Sequence, residues 1–259
     1  MKRSALRVTL DVWHALLLRE AVSRMFARRS ALAWLLIEPS AYIGLMVLLF
    51  LALRTRVVGG IDVGLWLASG LLAYFLFRRT ATQGAAAIGA NRALFTYRQV
   101  LPVDTILTRC ILEAVLMLLV SAILVVALAV LGVRFTLDEP LLLIASLFGL
   151  WLTAVGWGLC VSVANELVPE VGNVLGMLMM PLMLVSGAVF PLAAVPAHWR
   201  DYLMLNPVAH GVEGVRAGLS GIYHHAPELS MGYLFEAALV LVFLGLALQV
   251  RLRFKLVTS

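Results

Sequence analysis

Apolar residues fill six long stretches of this chain, and each stretch is about as long as a helix that crosses a membrane. The stretches fall near residues 31–53, 63–84, 106–132, 140–163, 171–190 and 232–250. A transmembrane helix needs about 20 mainly apolar residues, because the hydrocarbon core of a bilayer is about 30 Å thick. The pattern therefore predicts an all-α integral membrane protein with six transmembrane helices.

Ahead of the first stretch, the spacing of apolar positions predicts an amphipathic helix over residues 4–29. Its apolar positions recur every three or four residues, at Leu6, Leu10, Trp13, Leu17 and Ala21. Arg24, Arg28 and Arg29 at its end suit the anionic headgroups of a cytoplasmic leaflet. We expect this helix to lie along the membrane, either as a simple anchor or as a gating or docking element.

The segment of residues 186–231, between the fifth and sixth stretches, is too apolar for an ordinary loop and too interrupted for a span. Pro191, Pro196 and Pro207 break it, and polar residues such as Asn206 and His210 punctuate it. We expect short re-entrant helices that enter the membrane and turn back. Non-helical backbone survives at membrane depth only inside protein or beside water, so the segment marks a transport route or a gate.

Charge placement predicts the orientation of the chain. Hydrophobic residues make up 63% of the sequence and charged residues 13%, which excludes an ordinary soluble domain. With the N-terminus in the cytoplasm, 15 of the 20 Lys and Arg residues fall on the cytoplasmic side. The positive-inside rule therefore favours two cytoplasmic termini, and it explains the net charge of +6 without nucleic acid.

Several ionisable residues lie inside or beside the first two stretches. Glu38 precedes Pro39 within the first, Arg78 and Arg79 lie within the second, and Arg54 and Arg56 lie at the opposite membrane face. Such residues usually meet a partner charge or a polar cavity. Two interpretations stay open, namely local ion pairing or interfacial anchoring on one side and contact with an anionic substrate on the other.

Aromatic residues in the second stretch allow two interpretations as well. Trp66 and Tyr74 could pack in the protein interior, which is the commoner role for such residues, or line a substrate path.

The connector of residues 90–109, ANRALFTYRQVLPVDTILTR, carries more apolar surface than a solvated turn needs. We expect a short helix stopped by Pro102. Phe95 and Tyr97 alternate with Arg92 and Arg98, and exposed apolar surface of this kind indicates a protein partner.

Motifs for covalent chemistry and metal binding do not occur in the sequence. Lys2 and Lys255 are the only lysines, so no glycine-rich loop ending in Lys-Ser or Lys-Thr can bind a nucleotide. The sequence also lacks HExxH, GxSxG and paired-cysteine motifs. We therefore expect a chain that is not an enzyme and holds no metal. Two alternatives stay open, a membrane enzyme using Glu38, His198, Asp201 or His210, and an ion-coupled carrier that protonates Glu38.

Three segments together resemble the ABC-2 type permeases, and in particular those of capsular polysaccharide export. They are residues 18–41 with their Glu-Pro-Ser, the connector with its Asn-Arg and Pro-Val-Asp, and residues 190–218 with their Asn-Pro. The permeases of O-antigen and teichoic acid share this layout. An O-antigen, teichoic acid or drug exporter of the same class is therefore the alternative, and the sequence separates these substrates poorly.

The resemblance implies a six-span subunit of a homodimer, bound to two P-loop ATPase chains that hold ATP and Mg. It implies export of an acidic, lipid-linked polysaccharide across the bacterial inner membrane, together with a periplasmic adaptor. Residues 1–29 would be the gate helix, with Trp13, Arg24, Arg28 and Arg29. Residues 30–259 would form the transmembrane domain, with a coupling helix near 90–103 and a periplasmic hairpin near 190–218.

The resemblance also distributes candidate roles among individual residues. ATPase coupling would fall to Arg92, Phe95, Tyr97 and Arg98. The substrate path is a separate hypothesis, drawn from the residues themselves and not from the resemblance, and it includes Glu38, Arg54, Arg56, Trp66, Tyr74, Arg78 and Arg79. The periplasmic gate would include Pro191, Trp199, Asn206, Pro207, His210 and Arg216.

Overall fold

The computed structural model describes residues 5–26, 31–53, 55–97, 99–130, 132–133 and 136–258. Four residues with predicted roles, Arg28, Arg29, Arg54 and Arg98, lie outside these ranges. Arg24 lies in a described helix, but its side chain is outside the description.

Helices make up most of the described chain. In the first half they are α1 (Ala5–Phe26), α2 (Ala31–Ala52), α3 (Val63–Ala85), α4 (Ala87–Ala90), a 3₁₀ helix (Arg92–Thr96) and α5 (Pro102–Val130). In the second half they are α6 (Pro140–Leu167), α7 (Pro169–Val185), a 3₁₀ helix (Leu192–Ala194), α8 (Ala197–Leu203), α9 (Pro207–Leu219), α10 (Met231–Arg251) and α11 (Arg253–Thr258). Between α2 and α3, strand β1 (Val57–Val58) pairs antiparallel with β2 (Ile61–Asp62).

Each of the six apolar stretches coincides with one helix, namely α2, α3, α5, α6, α7 and α10. Among the described residues, α5, α6 and α10 are both long enough and apolar enough to cross a membrane. Shorter apolar helical segments lie within α2 and α7, at Ile37–Phe50 and Glu170–Val185. The mostly helical membrane architecture is thus confirmed, whereas the count of six spans is taken up below as part of a proposal.

The second predicted span, α3, is the central helix of the protein. Its side chains from Val63 to Phe77 are buried, and α2, α5, α6 and α9 pack around it. By contrast, α5 and α10 expose large apolar residues such as Val126 and Phe243, at 63% and 72%. An apolar surface of this extent suits lipid, so the buried α3 and the exposed outer helices together fit a bundle in a bilayer.

Prolines and polar caps set several helix starts. Pro102 is the first residue of α5 and does not end a connector helix, contrary to the sequence prediction. Proline is favoured at this position because the first N–H of a helix has no intrahelical partner. Asn206 caps α9 by accepting a hydrogen bond from the Val208 N–H, and Pro207 follows as the first helical residue. The local sequence Asn206–Pro207 therefore determines where α9 begins.

Candidate functional site

A buried ion pair holds the broken segment against the core. We call it the hairpin cluster, formed by Glu213 and Arg216 of α9 with Tyr223. Arg216 Nη1 lies 3.2 Å from Glu213 Oε1, and both side chains are fully buried. The Tyr223 hydroxyl donates to Glu213 Oε1 and Oε2 at 2.9 and 3.1 Å, and the Ala226 N–H donates to Oε2 at 3.1 Å. The carboxylate is thus saturated with donors.

The Arg216 guanidinium joins the segment to two other parts of the bundle. Its Nη1 donates to the Gly187 carbonyl at 2.8 Å, and its Nη2 donates to the Ala188 carbonyl at 3.0 Å. It also lies 3.9 Å from the ring centroid of Trp66 in α3, and its Nε donates to the Trp66 carbonyl at 3.2 Å. A buried charge is tolerated when it is paired and hydrogen-bonded in this way, so the cluster fixes α9 against α3 and the end of α7.

Two glycines make this arrangement sterically possible. Gly187, with φ of 70°, ends α7 in the left-handed conformation and directs its carbonyl toward Arg216. A Cβ at Gly70 of α3 would overlap the Arg216 guanidinium and lie 2.9 Å from the Ala188 oxygen. Space for the buried arginine therefore depends on a glycine nearly 150 residues earlier in the chain.

The other residues predicted for this segment serve mainly to hold its turns. Asn206 Nδ2 donates to the Ser186 hydroxyl at 2.8 Å, and His210 is buried between the Met204 carbonyl (2.7 Å) and the Ser230 N–H (3.0 Å). Pro191 caps the second 3₁₀ helix in extended conformation. Trp199 differs, because 63% of it is exposed on α8.

A second ionic group joins three helices. We call it the span cluster, formed by Glu38 of α2, Arg78 and Arg79 of α3, and Glu113 of α5. Arg78 Nη2 lies 2.8 Å from Glu38 Oε1, and Arg79 Nη1 lies 3.1 Å from Glu38 Oε2. Arg79 Nε lies 3.3 Å from Glu113 Oε2. The four formal charges balance, so the two arginines are paired rather than free cations.

Sequence reasoning missed Glu113 as a member of this cluster. The signal was present, because a carboxylate within an apolar stretch needs a partner. Its side chain is fully buried, whereas 40% of the Glu38 side chain and 34% of the Arg78 side chain are exposed. The cluster is therefore anchored at α5 and open at α2.

Other residues predicted for a substrate path lie apart from one another. Trp66 and Tyr74 are fully buried in α3, where Trp66 underlies Arg216 and the Tyr74 hydroxyl donates to the Met179 carbonyl of α7. Within the single chain both aromatic side chains serve packing. Arg56 lies exposed in the turn after α2, and Arg54 lies outside the described residues.

The connector between α3 and α5 contacts the bundle through Arg92 and Phe95. Arg92 Nη2 donates to Glu166 Oε2 at the end of α6, at 2.6 Å. Phe95 is buried, whereas Tyr97 is 66% exposed. The 3₁₀ helix therefore packs on the bundle through Phe95, and the ring of Tyr97, the residue after it, lies at the surface.

Polar contacts fasten α1 to the connector and to α5. Trp13 Nε1 donates to Asp104 Oδ1 at 2.8 Å, and Arg19 Nη2 donates to Asn91 Oδ1. Glu20 is buried, and its Oε1 lies 2.9 Å from Arg109 Nε. Leu10, on the predicted apolar face, is 63% exposed. The helix thus meets its own chain through hydrogen bonds and ion pairs, and it leaves apolar surface free.

Neither a metal-binding site nor a nucleotide-binding loop is found, the first within the part of the chain that the structure describes. No group of three or more His, Cys, Asp or Glu side chains there could hold a metal ion. The sequence also offers no phosphate-binding loop.

Comparison with known proteins identifies the family. The model of the ABC-2 type transporter family matches residues 12–220. The polysialic acid transport protein KpsM of Escherichia coli is 33% identical over 248 residues, 96% of each chain. The capsule polysaccharide export inner-membrane protein CtrC of Neisseria meningitidis is 30% identical over 92% of this chain and 89% of its own length. The Haemophilus influenzae protein BexB, of the same description, is 26% identical over 95% and 92%. The chain therefore belongs to the ABC-2 type transporter family.

Proposed function

We propose that this chain is the inner-membrane permease subunit of an ATP-driven exporter of capsular polysaccharide. One observation carries the proposal, namely the similarity over nearly the whole chain to proteins named for polysialic acid transport and capsule polysaccharide export. In the producing bacterium, deletion of the gene should remove surface polysaccharide and leave polymer inside the cell. Restored export by the reintroduced gene supports the proposal, and undiminished surface capsule in the deletion strain contradicts it.

The energy for transport comes from a separate P-loop ATPase in this proposal, because the chain has no phosphate-binding loop. The ATPase binds the connector, at Arg92, Phe95, Tyr97 and Arg98. The exposed Tyr97 ring beside a basic residue supports this choice. ATP and Mg stay with that partner, and this chain performs no covalent step. Conversion of a lipid-linked sugar by the purified chain alone would favour a membrane enzyme instead.

The connector can be tested with a matched pair of variants. Arg92→Glu breaks the ion pair with Glu166 and reverses the charge offered to a partner, whereas Glu166→Gln breaks only the ion pair. We expect Arg92→Glu to reduce co-purification of the ATPase and ATP turnover, and Glu166→Gln to retain both. Equal losses in the two variants would assign Arg92 to the fold and remove it from the docking surface.

Two copies of the chain, each with six spans and cytoplasmic termini, enclose the path in this proposal. A single bundle has a core filled by side chains, as the buried α3 illustrates. Exposed apolar residues on α2 and α7, such as Leu48 at 67% and Met177 at 75%, supply surface for the second copy. The gate helix corresponds to α1 with Trp13 and its basic end, and its link to Asn91 makes it responsive to the ATPase.

The substrate is an acidic, lipid-linked polymer that reaches the path past the span cluster. Arg78 and Arg79 are the cations of this cluster, and exchange of Glu38 for a phosphate or carboxylate of the substrate would keep the charge balanced. Neutralising both arginines should reduce surface capsule while membrane insertion stays intact. Normal export by that double variant would remove both residues from the mechanism.

The broken segment of residues 190–218 forms the periplasmic gate in the proposal, with a periplasmic adaptor as its partner. Its hairpin cluster supports a segment that keeps its own shape. The exposed Trp199 on α8 is the side chain best placed to meet the adaptor or the headgroup region.

A further inference from the structure

A long groove runs between α6, α7 and α3. It comprises two adjoining clefts of about 460 and 410 Å³ that share Trp157 and Met179. On α6 its wall is a stripe with a spacing of four residues, Thr153, Trp157, Val161 and Asn165. This spacing places the side chains on one face of the helix.

The groove has the dimensions of an extended chain in one leaflet. Asn165 lies twelve positions after Thr153, which is about 18 Å at the rise of an α-helix. Half of a hydrocarbon core of about 30 Å is about 15 Å, so the groove is as deep as one leaflet. The volume of each cleft falls in the range of small-molecule sites, about 300 to 1,000 Å³.

The lining of the groove changes from apolar to polar along its length. The half toward the broken segment is lined by side chains such as Phe77, Met179 and Leu182. The half toward the α6–α7 turn carries Thr82, Asn165 and Asn173. In the orientation proposed above, that turn is cytoplasmic, so the polar half lies at the inner headgroups and the apolar half lies deeper.

The exposed apolar face of α7, proposed above as surface for a second copy, differs from the face that lines the groove. Around α7, the exposed residues Val174, Met177, Met180 and Leu184 lie on the side opposite Met179 and Leu182. A flat partner helix can pack on that convex side, whereas the concave groove fits a thin chain. The two surfaces of α7 therefore suit different neighbours.

We propose that the α6–α7 groove binds one acyl chain of a membrane amphiphile, with the polar head at the Asn165 end. The inference rests on the orientation and export role proposed above. Both a resident phospholipid and the lipid end of the polysaccharide present this chemistry. The groove then holds a lipid against α7.

Gly176 offers a direct way to fill the groove. It lines the polar half, and a Cβ there meets no atom within 4 Å. Gly176→Leu therefore adds volume to the groove without a clash in the fold. Gly44 of α2 is the matched control, because its Cβ would also meet no atom within 4 Å, and Gly176→Ala leaves most of the volume free.

The experiment uses the full chain with its ATPase in membrane vesicles that contain a phosphatidylglycerol with a photoactivatable acyl chain. Cross-links should map to peptides of the groove around Trp157 and Met179. Gly176→Leu should reduce these cross-links about tenfold, because a close-packed site has no room for both the leucine side chain and the acyl chain. Gly44→Leu and Gly176→Ala should retain them. Absent cross-links at the groove, or equal cross-linking in Gly176→Leu, would overturn the inference.

Two further arms identify the occupant. Membranes from polymer-producing cells and membranes from a polymer-free strain are compared as competitors. Stronger competition by the first names the lipid end of the polysaccharide, and equal competition names a resident phospholipid. Each result supports an acyl site. Cross-linking of groove cysteines between two copies of the chain would instead assign the groove to the dimer and overturn the inference. The export function is tested separately, by measuring surface capsule in the parent strain. A failure of the export proposal can therefore be told apart from a groove that binds no lipid.

Discussion

The hairpin cluster and the span cluster both pair arginines with buried glutamates, but they differ in their access to water. Glu213 and Arg216 are fully buried, and Nε, Nη1 and Nη2 of the guanidinium each donate to an acceptor of the protein. In the span cluster Glu113 is buried, whereas Glu38 and Arg78 remain over one third exposed. The hairpin cluster is therefore closed to solvent, whereas the span cluster is solvated on its α2 side.

The largest effect should come from removing the carboxylate of the hairpin cluster. Glu213→Gln leaves the Arg216 charge buried without its ion-pair partner, which costs about 3–5 kcal/mol of unfolding free energy. Denaturant unfolding of the purified protein measures the loss. Glu236→Gln on the exposed face of α10 is the control, and we expect its effect to stay within about 0.5 kcal/mol. Equal effects of the two variants would contradict the structural role of the cluster.

The space around Arg216 gives the second prediction. Gly70→Ala would force a methyl group into the guanidinium, and overpacking of this kind costs about 1–3 kcal/mol. Gly44→Ala should be neutral or stabilising by up to about 1 kcal/mol, because its Cβ meets open space and alanine favours the helix. Thermal unfolding compares the two. A destabilised Gly44→Ala with an unchanged Gly70→Ala would show that this packing is wrong.

The third prediction separates the two carboxylates of the span cluster. Glu113→Gln should cost about 1–3 kcal/mol because it weakens a fully buried contact of Arg79. Glu38→Gln should cost less than about 1 kcal/mol because the exposed side of the cluster is solvated. Unfolding midpoints at constant detergent measure both. A larger loss for Glu38→Gln would reverse the assignment of the anchored and open ends.

The smallest effect concerns an ion pair at the rim of the broken segment. Arg200 Nε donates to both Glu228 oxygens at 2.9 and 2.8 Å, and these hydrogen bonds hold the pKa of Glu228 below its ordinary value.

The sign of the pH effect follows from that lowered pKa. The ionised Glu228 carboxylate contributes its full stabilisation above the pKa of about 4.3 that it has in the unfolded chain. This stabilisation disappears as the pH falls through the lower pKa of the folded protein. Between about pH 5 and pH 3, Glu228→Gln should therefore lose less stability than the parent protein. Melting temperatures across this range test the difference, and parallel pH profiles would contradict it.

Much of the fold followed from local sequence signals. Each of the six apolar stretches coincides with a helix of the structure, and α9 begins at the Asn206–Pro207 pair. Pro102 was misassigned because proline suits the first turn of a helix as well as the end of the preceding segment. The candidate site was less predictable, since both Glu113 and Gly70 act through helices that the sequence does not place side by side.

By itself the sequence determined which segments are helical, that the chain belongs in a membrane and that it carries no phosphate-binding loop. These features are local, because hydrophobic length and caps are read within one segment. Only the tertiary structure decided that Arg79 pairs with Glu113, that Trp66 lies beneath Arg216, and that a groove stays open beside α7. Such contacts join residues up to 150 positions apart, and helix packing, not periodicity, selects them.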